Sequence, residues 1–202
     1  MDALENTAQG RAVAPGETPP DFSARQPWET SDQYRQRKMR EEDLQALRDP
    51  PVKAYLDTMA FSEAFGYGAP LDYSSLYGDH PLGRRQTFSD FSGFPSGKGA
   101  VGRYQFTKTT YQDFQKRMGV SDVLPLTQDL MGVQLMREHG VLDRLLSDDF
   151  AGAVNNSSPW ASTPQLVNGQ WVKRPKGTRR ATPFDQLQQY YQGRLNAYTS
   201  RR

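Results

Sequence analysis

Val52, Tyr55, Leu56, Met59 and Ala60 fall at i, i+3, i+4, i+7 and i+8, a single apolar stripe along an α-helix. Glu63 falls at i+11 on the same stripe, one turn beyond Met59, and Gly66 and Gly68 are placed to close the helix. Further helices are predicted downstream. Thr107 caps one whose inward positions are Tyr111, Phe114 and Met118, with Gly119 at its C-terminus. Thr127 caps the next, through Leu130, Val133 and Met136 to Gly140, and short helices follow over 141–147 and 149–155. The last helix has Thr182 as cap, Pro183 in its first turn, and Phe184, Leu187, Tyr191, Leu195 and Tyr198 facing inward. Residues 69–103 read as loop with short strands, in DYSSLYGDHP, TFSDF and GFPSGKGAVGRYQF, and the WASTP–NGQW stretch reads as loop. The predicted fold class is mainly α (α+β), with a small β-hairpin lobe.

Ahead of Val52 the apolar positions thin out. Thr30 and Gln33 form a capping-box pair that starts a helix through the charged DQYRQRKMREEDLQALR segment. Its apolar positions, Tyr34, Met39, Leu44 and Leu47, are sparse, as on a surface or partner-facing helix. Pro50 and Pro51 are expected to end it, dividing an N-terminal arm and helix (1–50) from a globular domain (51–202). Residues 1–28 hold Phe22 and Trp28 as their only aromatic groups, too little apolar surface to offset ordering entropy, and on their own should be disordered.

Composition narrows the chemistry. The 202 residues are 36% apolar and 11% aromatic, enough for a core over part of the chain. Absence of Cys removes disulfides, thiolate metal sites and a cysteine nucleophile, and His80 and His139 are too far apart for a short metal motif. No window approaches 18 uninterrupted apolar residues and the N-terminus lacks an apolar signal core, so a soluble chain without its own export signal is expected. The net charge of +2 conceals a gradient: −3 over 1–50, −2 over 51–166 and +7 over 167–202. In that last segment Lys173, Arg174, Lys176, Arg179, Arg180, Arg194, Arg201 and Arg202 face Asp185 alone. Such asymmetry suits a solvated tail or an anionic surface. Nucleic acid is not the expected partner, because the basic residues sit in one loop and one helix without a nucleic-acid module.

Glu63 is the only Glu between positions 43 and 137. Burial disfavours the charged form of a carboxyl and raises its pKa, the condition for a general acid near neutrality. Protonating a glycosidic oxygen is work done by such a group. A Glu near a helix end also snorkels to solvent or pairs with a local Arg, and periodicity leaves both readings open. An ordinary glycoside hydrolase needs a second carboxylate, at about 5–5.5 Å for retaining or about 6.5–9.5 Å for inverting chemistry. Asp72, Asp79 and Asp90 are the candidates; Asp79, ahead of His80-Pro81, suits a turn.

Taken in order, AYLDTMAFSEAFGYG, DHP, GAVGRYQF, TQDLMGVQLMREHG and WAS-x-P resemble the lambda-type phage endolysins over about residues 52–170. Each motif is weak alone; five in order are specific. The resemblance implies a lysozyme-like fold and lytic transglycosylase activity on the β-1,4 bond between N-acetylmuramic acid and N-acetylglucosamine of peptidoglycan. Glu63 then stands at the family's catalytic glutamate. Phe61 replaces the family's tryptophan and Ser62 is kept. Gly102 to Phe106 matches the family's cleft-floor segment, so that Tyr104 and Gln105 are expected to face sugar. Ser62, Tyr73, Arg103, Trp160 and Ser162 join them as expected substrate-binding residues, and Trp160, Ser162 and Pro164 are also expected as packing and cleft wall. The resemblance implies no metal, no cofactor and no second carboxylate.

Two departures from the family shape the expected biology. Residues 1–50 precede the catalytic helix, and the loop QLVNGQWVKRPKGTRRAT at 165–182 is longer and more basic than expected. The arm is expected to anchor the enzyme to phage virion proteins, in a tail or internal core, for wall penetration in the host periplasm during genome entry. The basic 173–202 region is expected to meet the anionic cell envelope. The alternatives are a free endolysin held in the host cytoplasm until a holin admits it to the wall, and a non-catalytic lysozyme-like virion component.

Overall fold

A capping box opens the first helix: the Thr30 N–H donates to Gln33 Oε1 at 2.8 Å, and the Gln33 N–H donates back to Thr30 Oγ1 at 3.1 Å. The computed structural model describes residues 24–65, 71–73, 75–77, 86–87, 100–122, 124–175 and 181–200. Of the 1–28 stretch expected to be disordered, residues 1–23 lie outside the described residues, as do the helix-closing Gly66 and Gly68. In chain order the elements are α1 (Ser31–Ala46), α2 (Pro50–Ala64), β1 (Ser75–Tyr77), β2 (Gln86–Thr87), β3 (Ala100–Val101), β4 (Phe106–Thr107), α3 (Lys108–Met118), α4 (Pro125–Glu138), α5 (Val141–Leu146), α6 (Phe150–Asn156), β5 (Pro164–Val167), β6 (Gln170–Lys173) and α7 (Phe184–Thr199). The first four strands make an antiparallel sheet in the order β2-β1-β3-β4, with Leu76 opposite Gln86 on one side and Val101 on the other. This is the mainly α architecture with a small β lobe that the pattern predicts.

Chain contacts divide the molecule between Arg35 and Gln36. In the N-terminal unit a turn precedes α1: Arg25 Nε donates to the Glu29 carbonyl and the Gln26 N–H to the Glu29 carboxylate, both at 2.9 Å. The main unit therefore starts at Gln36, before the expected boundary at 51. Asp43 on α1 is the reason: it is fully buried, accepting from Gln134 Nε2 and, at 3.0 Å, from Arg137 Nη2, both on α4. A buried carboxylate requires such partners, so the second half of α1 belongs to the main unit.

Other local expectations shift for identifiable reasons. Pro50 and Pro51 do not terminate α1; they occupy the first turn of α2, where their missing N–H groups cost no helical bond. Thr127 lies inside the first turn of α4 rather than capping it, because Pro125 starts that helix and the Thr127 hydroxyl donates to Asp122. Thr107 does cap α3, accepting from the Thr110 N–H at 3.2 Å, and Gly119 ends it at φ 63°. The stretch read as loop after Trp160 contains the β5–β6 hairpin, turned by Asn168 and Gly169 at φ 50° and 77°. Asn-Gly is a strong two-residue hairpin signal.

Helix α2 is buried on more than the expected stripe. Val52, Ala54, Tyr55, Leu56, Met59 and Ala60 all lie in the core, and so do Asp57, Thr58 and Ser62. It packs against α7, α4 and α5. Burying each large apolar side chain along it contributes about 1.5–3 kcal/mol. Glu63 thus sits in the last turn of the central helix. Segment 157–163, after α6, and residues 181–183, before α7, close over that turn.

Candidate active site

The Glu63 carboxyl is met by Ser162, whose hydroxyl donates to Glu63 Oε1 at 2.6 Å and whose backbone N–H also bonds the carboxyl. Burial dominates its acid–base behaviour, pushing the pKa from 4.5 up to about 7, and the two Ser162 bonds only partly oppose the rise. No charged side chain among the described residues perturbs it. The group therefore exchanges a proton near neutrality, and of the two readings left open by periodicity the Arg-paired one is absent among the described residues.

Ser62 does not reach outward toward a ligand. It is fully buried, donating to Ser162 Oγ at 2.9 Å and lying 3.1 Å from Thr182 Oγ1. Thr182, expected as the cap of α7, holds this cluster instead: its N–H donates to the Ser162 carbonyl at 2.9 Å, while α7 begins after Pro183. Trp160 is buried and packs in the core, with its indole N–H unpartnered among the described residues. Phe61, where the family has tryptophan, stacks on Tyr190 of α7 at 4.3 Å.

The GRYQ segment is a tight turn between β3 and β4. Gly102 has φ 76°, and a Cβ there would stand 2.1 Å from Gln128 Oε1, so the turn requires glycine. Gln128 clasps the lobe from α4, accepting from the Arg103 N–H at 3.1 Å and donating to the Tyr73 carbonyl at 2.8 Å. Gln105 sits at φ 53° and folds its amide back on the Gly102 carbonyl at 2.8 Å. Tyr104 is only 1% exposed and donates to Asp129 at 2.5 Å. It is a core residue, which corrects the expectation that it faces sugar.

Arg103 and Tyr73 belong to a polar network that sequence reading did not assemble. Arg103 Nη2 donates to Asp57 Oδ1 at 2.5 Å and its Nη1 to the Tyr73 hydroxyl at 2.9 Å; that hydroxyl donates to Asp129 at 2.9 Å. From α7, Arg194 Nε and the Tyr198 hydroxyl donate to Asp57 Oδ2 at 2.5 and 2.7 Å. Burial raises the Asp129 carboxyl and pushes the Tyr73 hydroxyl up to about 12, so the tyrosine remains a donor. The available signals were Asp57, an acid within an apolar helix, and Arg194, a base in the apolar stretch of α7.

Of the second-carboxylate candidates, Asp72 closes its own turn, accepting from Ser75 Oγ at 2.9 Å while its N–H donates to the same oxygen at 3.0 Å. Asp79, Asp90 and His80 lie outside the described residues. Among the described residues no three His, Asp or Glu side chains are grouped to hold a metal ion.

Residues 53–195 match the family model described as Endolysin. The chain belongs to the Endolysin family. The endolysin of Escherichia phage P2 is 29% identical over 137 residues, 59% of this chain and 82% of the relative. The endolysin of Escherichia phage lambda is 31% identical over 130 residues, 59% of this chain and 80% of the relative. The solved structure of bacteriophage lambda lysozyme complexed with a chitohexasaccharide superposes with a TM-score of 0.56, covering 72% of this chain and 94% of that one at 24% identity. The fold is therefore lysozyme-like, and family membership makes the chain a peptidoglycan-degrading enzyme of the lysozyme-like endolysin type.

The raised pKa of Glu63 has a consequence for stability. Below about 4.5 the carboxyl is protonated whether folded or unfolded, so it has no differential effect; above about 7 the folded state holds a partly buried charge that the unfolded chain solvates fully. Glu63 thus destabilises the fold progressively between those values. Glu63→Gln in this endolysin is expected to add about 1–3 kcal/mol of stability at pH 8 and almost nothing at pH 4. Urea denaturation at the two pH values measures it; an equal effect at both would contradict the assignment.

Proposed function

We propose that this endolysin is a lytic transglycosylase with Glu63 as its single acid–base group. The observation that carries the reading is the Glu63 carboxyl itself: partly buried, poised at about 7 and without a charged partner among the described residues. In the acid form Glu63 protonates the β-1,4 glycosidic oxygen while the bond from the anomeric carbon of N-acetylmuramic acid breaks, leaving an oxocarbenium-like sugar. The resulting carboxylate accepts the proton of the muramyl 6-hydroxyl as that oxygen attacks the anomeric carbon. A 1,6-anhydro ring forms, Glu63 is again protonated, and no water is consumed. The turn that holds Asp72 supports this reading over hydrolysis with Asp72 as second carboxylate. The chitohexasaccharide bound to lambda lysozyme supports a glycan strand as ligand. On this chain the described candidates for contacting it are Glu63 and the partly exposed Tyr73, Arg103 and Gln105.

Digestion of purified sacculi by wild type is expected to release muropeptides ending in 1,6-anhydromuramic acid. Glu63→Gln is expected to lose about 10²–10⁴-fold in rate, the usual worth of acid–base catalysis. Mass spectrometry decides: reducing-end products would mean a hydrolase, and no products from either protein would return the non-catalytic reading.

We further propose that the segment ahead of the catalytic body docks on a virion component, so that the enzyme acts on the wall during genome entry. Supporting this, the N-terminal unit ends at Arg35 and lies outside the family match at 53–195. The family itself favours the other reading, release from the host cytoplasm late in infection. Removing residues 1–35, but not the Asp43 segment, is expected to leave wall cleavage intact and abolish incorporation into particles. Truncated protein retained in purified virions would contradict the docking role, and full-length protein missing from washed virions would establish the free form.

An anionic envelope surface remains the proposed partner of the basic C-terminal region, with a smaller set of residues than the charge count suggests. Arg174 donates to the carbonyls of Val154 and Asn155 at 2.9 and 2.8 Å, and Arg194 is engaged with Asp57. Lys173 stands exposed beside exposed Leu166, Val167 and Val172 on the β5–β6 hairpin. Lys176, Arg179, Arg180, Arg201 and Arg202 lie outside the described residues.

A further inference from the structure

We propose that Thr182 is a positioning residue that sets the acidity of Glu63 through a directed chain of buried hydroxyls, Thr182–Ser62–Ser162–Glu63. The inference rests on the reading of Glu63 as the acid–base group. A carboxylate only accepts hydrogen bonds, and a Ser or Thr hydroxyl has one proton to donate. When Glu63 is ionised, Ser162 therefore spends its proton on Oε1 at 2.6 Å. Ser162 must then accept from Ser62 at 2.9 Å, which uses the Ser62 proton. The contact at 3.1 Å between Ser62 and Thr182 is left with Thr182 as its donor, and the same hydroxyl also lies 3.4 Å from the Ser62 carbonyl, a longer second acceptor for its proton. Each hydroxyl points its proton toward the carboxylate, and Thr182 is the last donor in the row.

Such chains polarise one another, so each donor strengthens the next. The three hydroxyl residues are all buried, leaving little room for water to replace a missing donor. Thr182 also fixes the geometry through its backbone, the N–H donating to the Ser162 carbonyl at 2.9 Å. That bond survives substitution of the side chain, so the hydroxyl can be tested by itself. Competing charges are absent from the segments that close over the chain: 157–163 and 181–183 contain no ionisable side chain. On α2, Asp57 is paired with Arg103 and with Arg194 of α7, Lys53 lies over the Tyr198 ring at 5.9 Å, and Tyr190 of α7 stacks on Phe61.

Hydrogen bonds to the charged form lower a carboxyl pKa, so weakening the chain raises it. The rate falls as Glu63 loses its proton, and the alkaline limb of the pH–activity profile reports that loss. Thr182→Val is expected to move this limb up by about half a unit and Ser162→Ala by about one unit. Thr182→Ser, which keeps the donor, is expected to restore the wild-type limb. Because the effect passes through Ser62, the double variant Ser62→Ala/Thr182→Val is expected to match Ser62→Ala alone.

Turbidity assays on sacculi between pH 5 and 9 read these limbs, with thermal melts of each variant to separate stability from acidity. A Thr182→Val profile that coincides with wild type, whatever its melting temperature, would overturn the chain. Additive shifts of Ser62→Ala and Thr182→Val would overturn it equally. Should Thr182→Val fold too poorly to assay, a Thr182→Ala limb at the wild-type position would contradict the proposal and an upward shift would support it. Glu63→Gln is assayed alongside: activity retained there would refute the acid–base reading itself. Activity lost there with an unmoved Thr182→Val limb would refute only the chain.

Discussion

Asp43, Asp57 and Asp129 of this endolysin each have an arginine acting on them, whereas no charged side chain acts on Glu63 among the described residues. Asp57 is neutralised by guanidinium groups from both sides, Arg103 from the β lobe and Arg194 from α7. Asp43 has Arg137 and an amide. Among the described residues Glu63 has only the hydroxyl and N–H of Ser162. A cation favours the ionised form of a carboxyl, although burial still raises Asp43 beside Arg137; the neutral donors at Glu63 stabilise its charge without neutralising it. Burial then lifts the pKa into the range where one group serves first as acid and then as base.

That arrangement depends on α2 lying at the centre of the body. Its apolar residues anchor it among α4, α5 and α7, and the close approach to α4 is possible because position 132 is glycine: a Cβ there would meet Leu56 Cδ2 at 2.7 Å. Asp57, two turns before Glu63, ties the helix to the β lobe and to α7 at once. The C-terminal segment is therefore part of the catalytic body through Thr182, Tyr190, Arg194 and Tyr198. The price of the poised acid is a partly buried carboxyl that works against folding above neutrality, a familiar trade between stability and activity.

Much of this was legible in the chain. The i, i+3, i+4 stripe placed Glu63 on the buried face of its helix, and the capping signals of Thr30 and Thr107 were read correctly because capping is local chemistry. The errors arose where tertiary contacts decide. Pro50 and Pro51 satisfy both the end of one helix and the start of another, and only packing of the second half of α1 distinguishes them. Ser62 and Tyr104 stand in motifs shared with the family, but a motif does not say which way a side chain faces; both point into the body. Thr182 preceded an apolar helix and looked like its cap, yet its hydroxyl serves Ser62, 120 positions away. Asn168-Gly169 carried a hairpin signal that was passed over in favour of a loop. Asp57 and Arg194 signal burial by standing among apolar positions, but their partners, and Asp129, are decided by long-range pairing.

The central claim is that the Glu63 carboxyl exchanges its proton near neutrality in the folded enzyme. Titration of side-chain-labelled Glu by carbon NMR, with Glu63→Gln to assign the resonance, measures this directly. The account predicts a midpoint at about 7 that coincides with the alkaline limb of activity. A midpoint near the ordinary 4.5 would contradict it, because a carboxyl ionised throughout the working range has no proton to give the glycosidic oxygen.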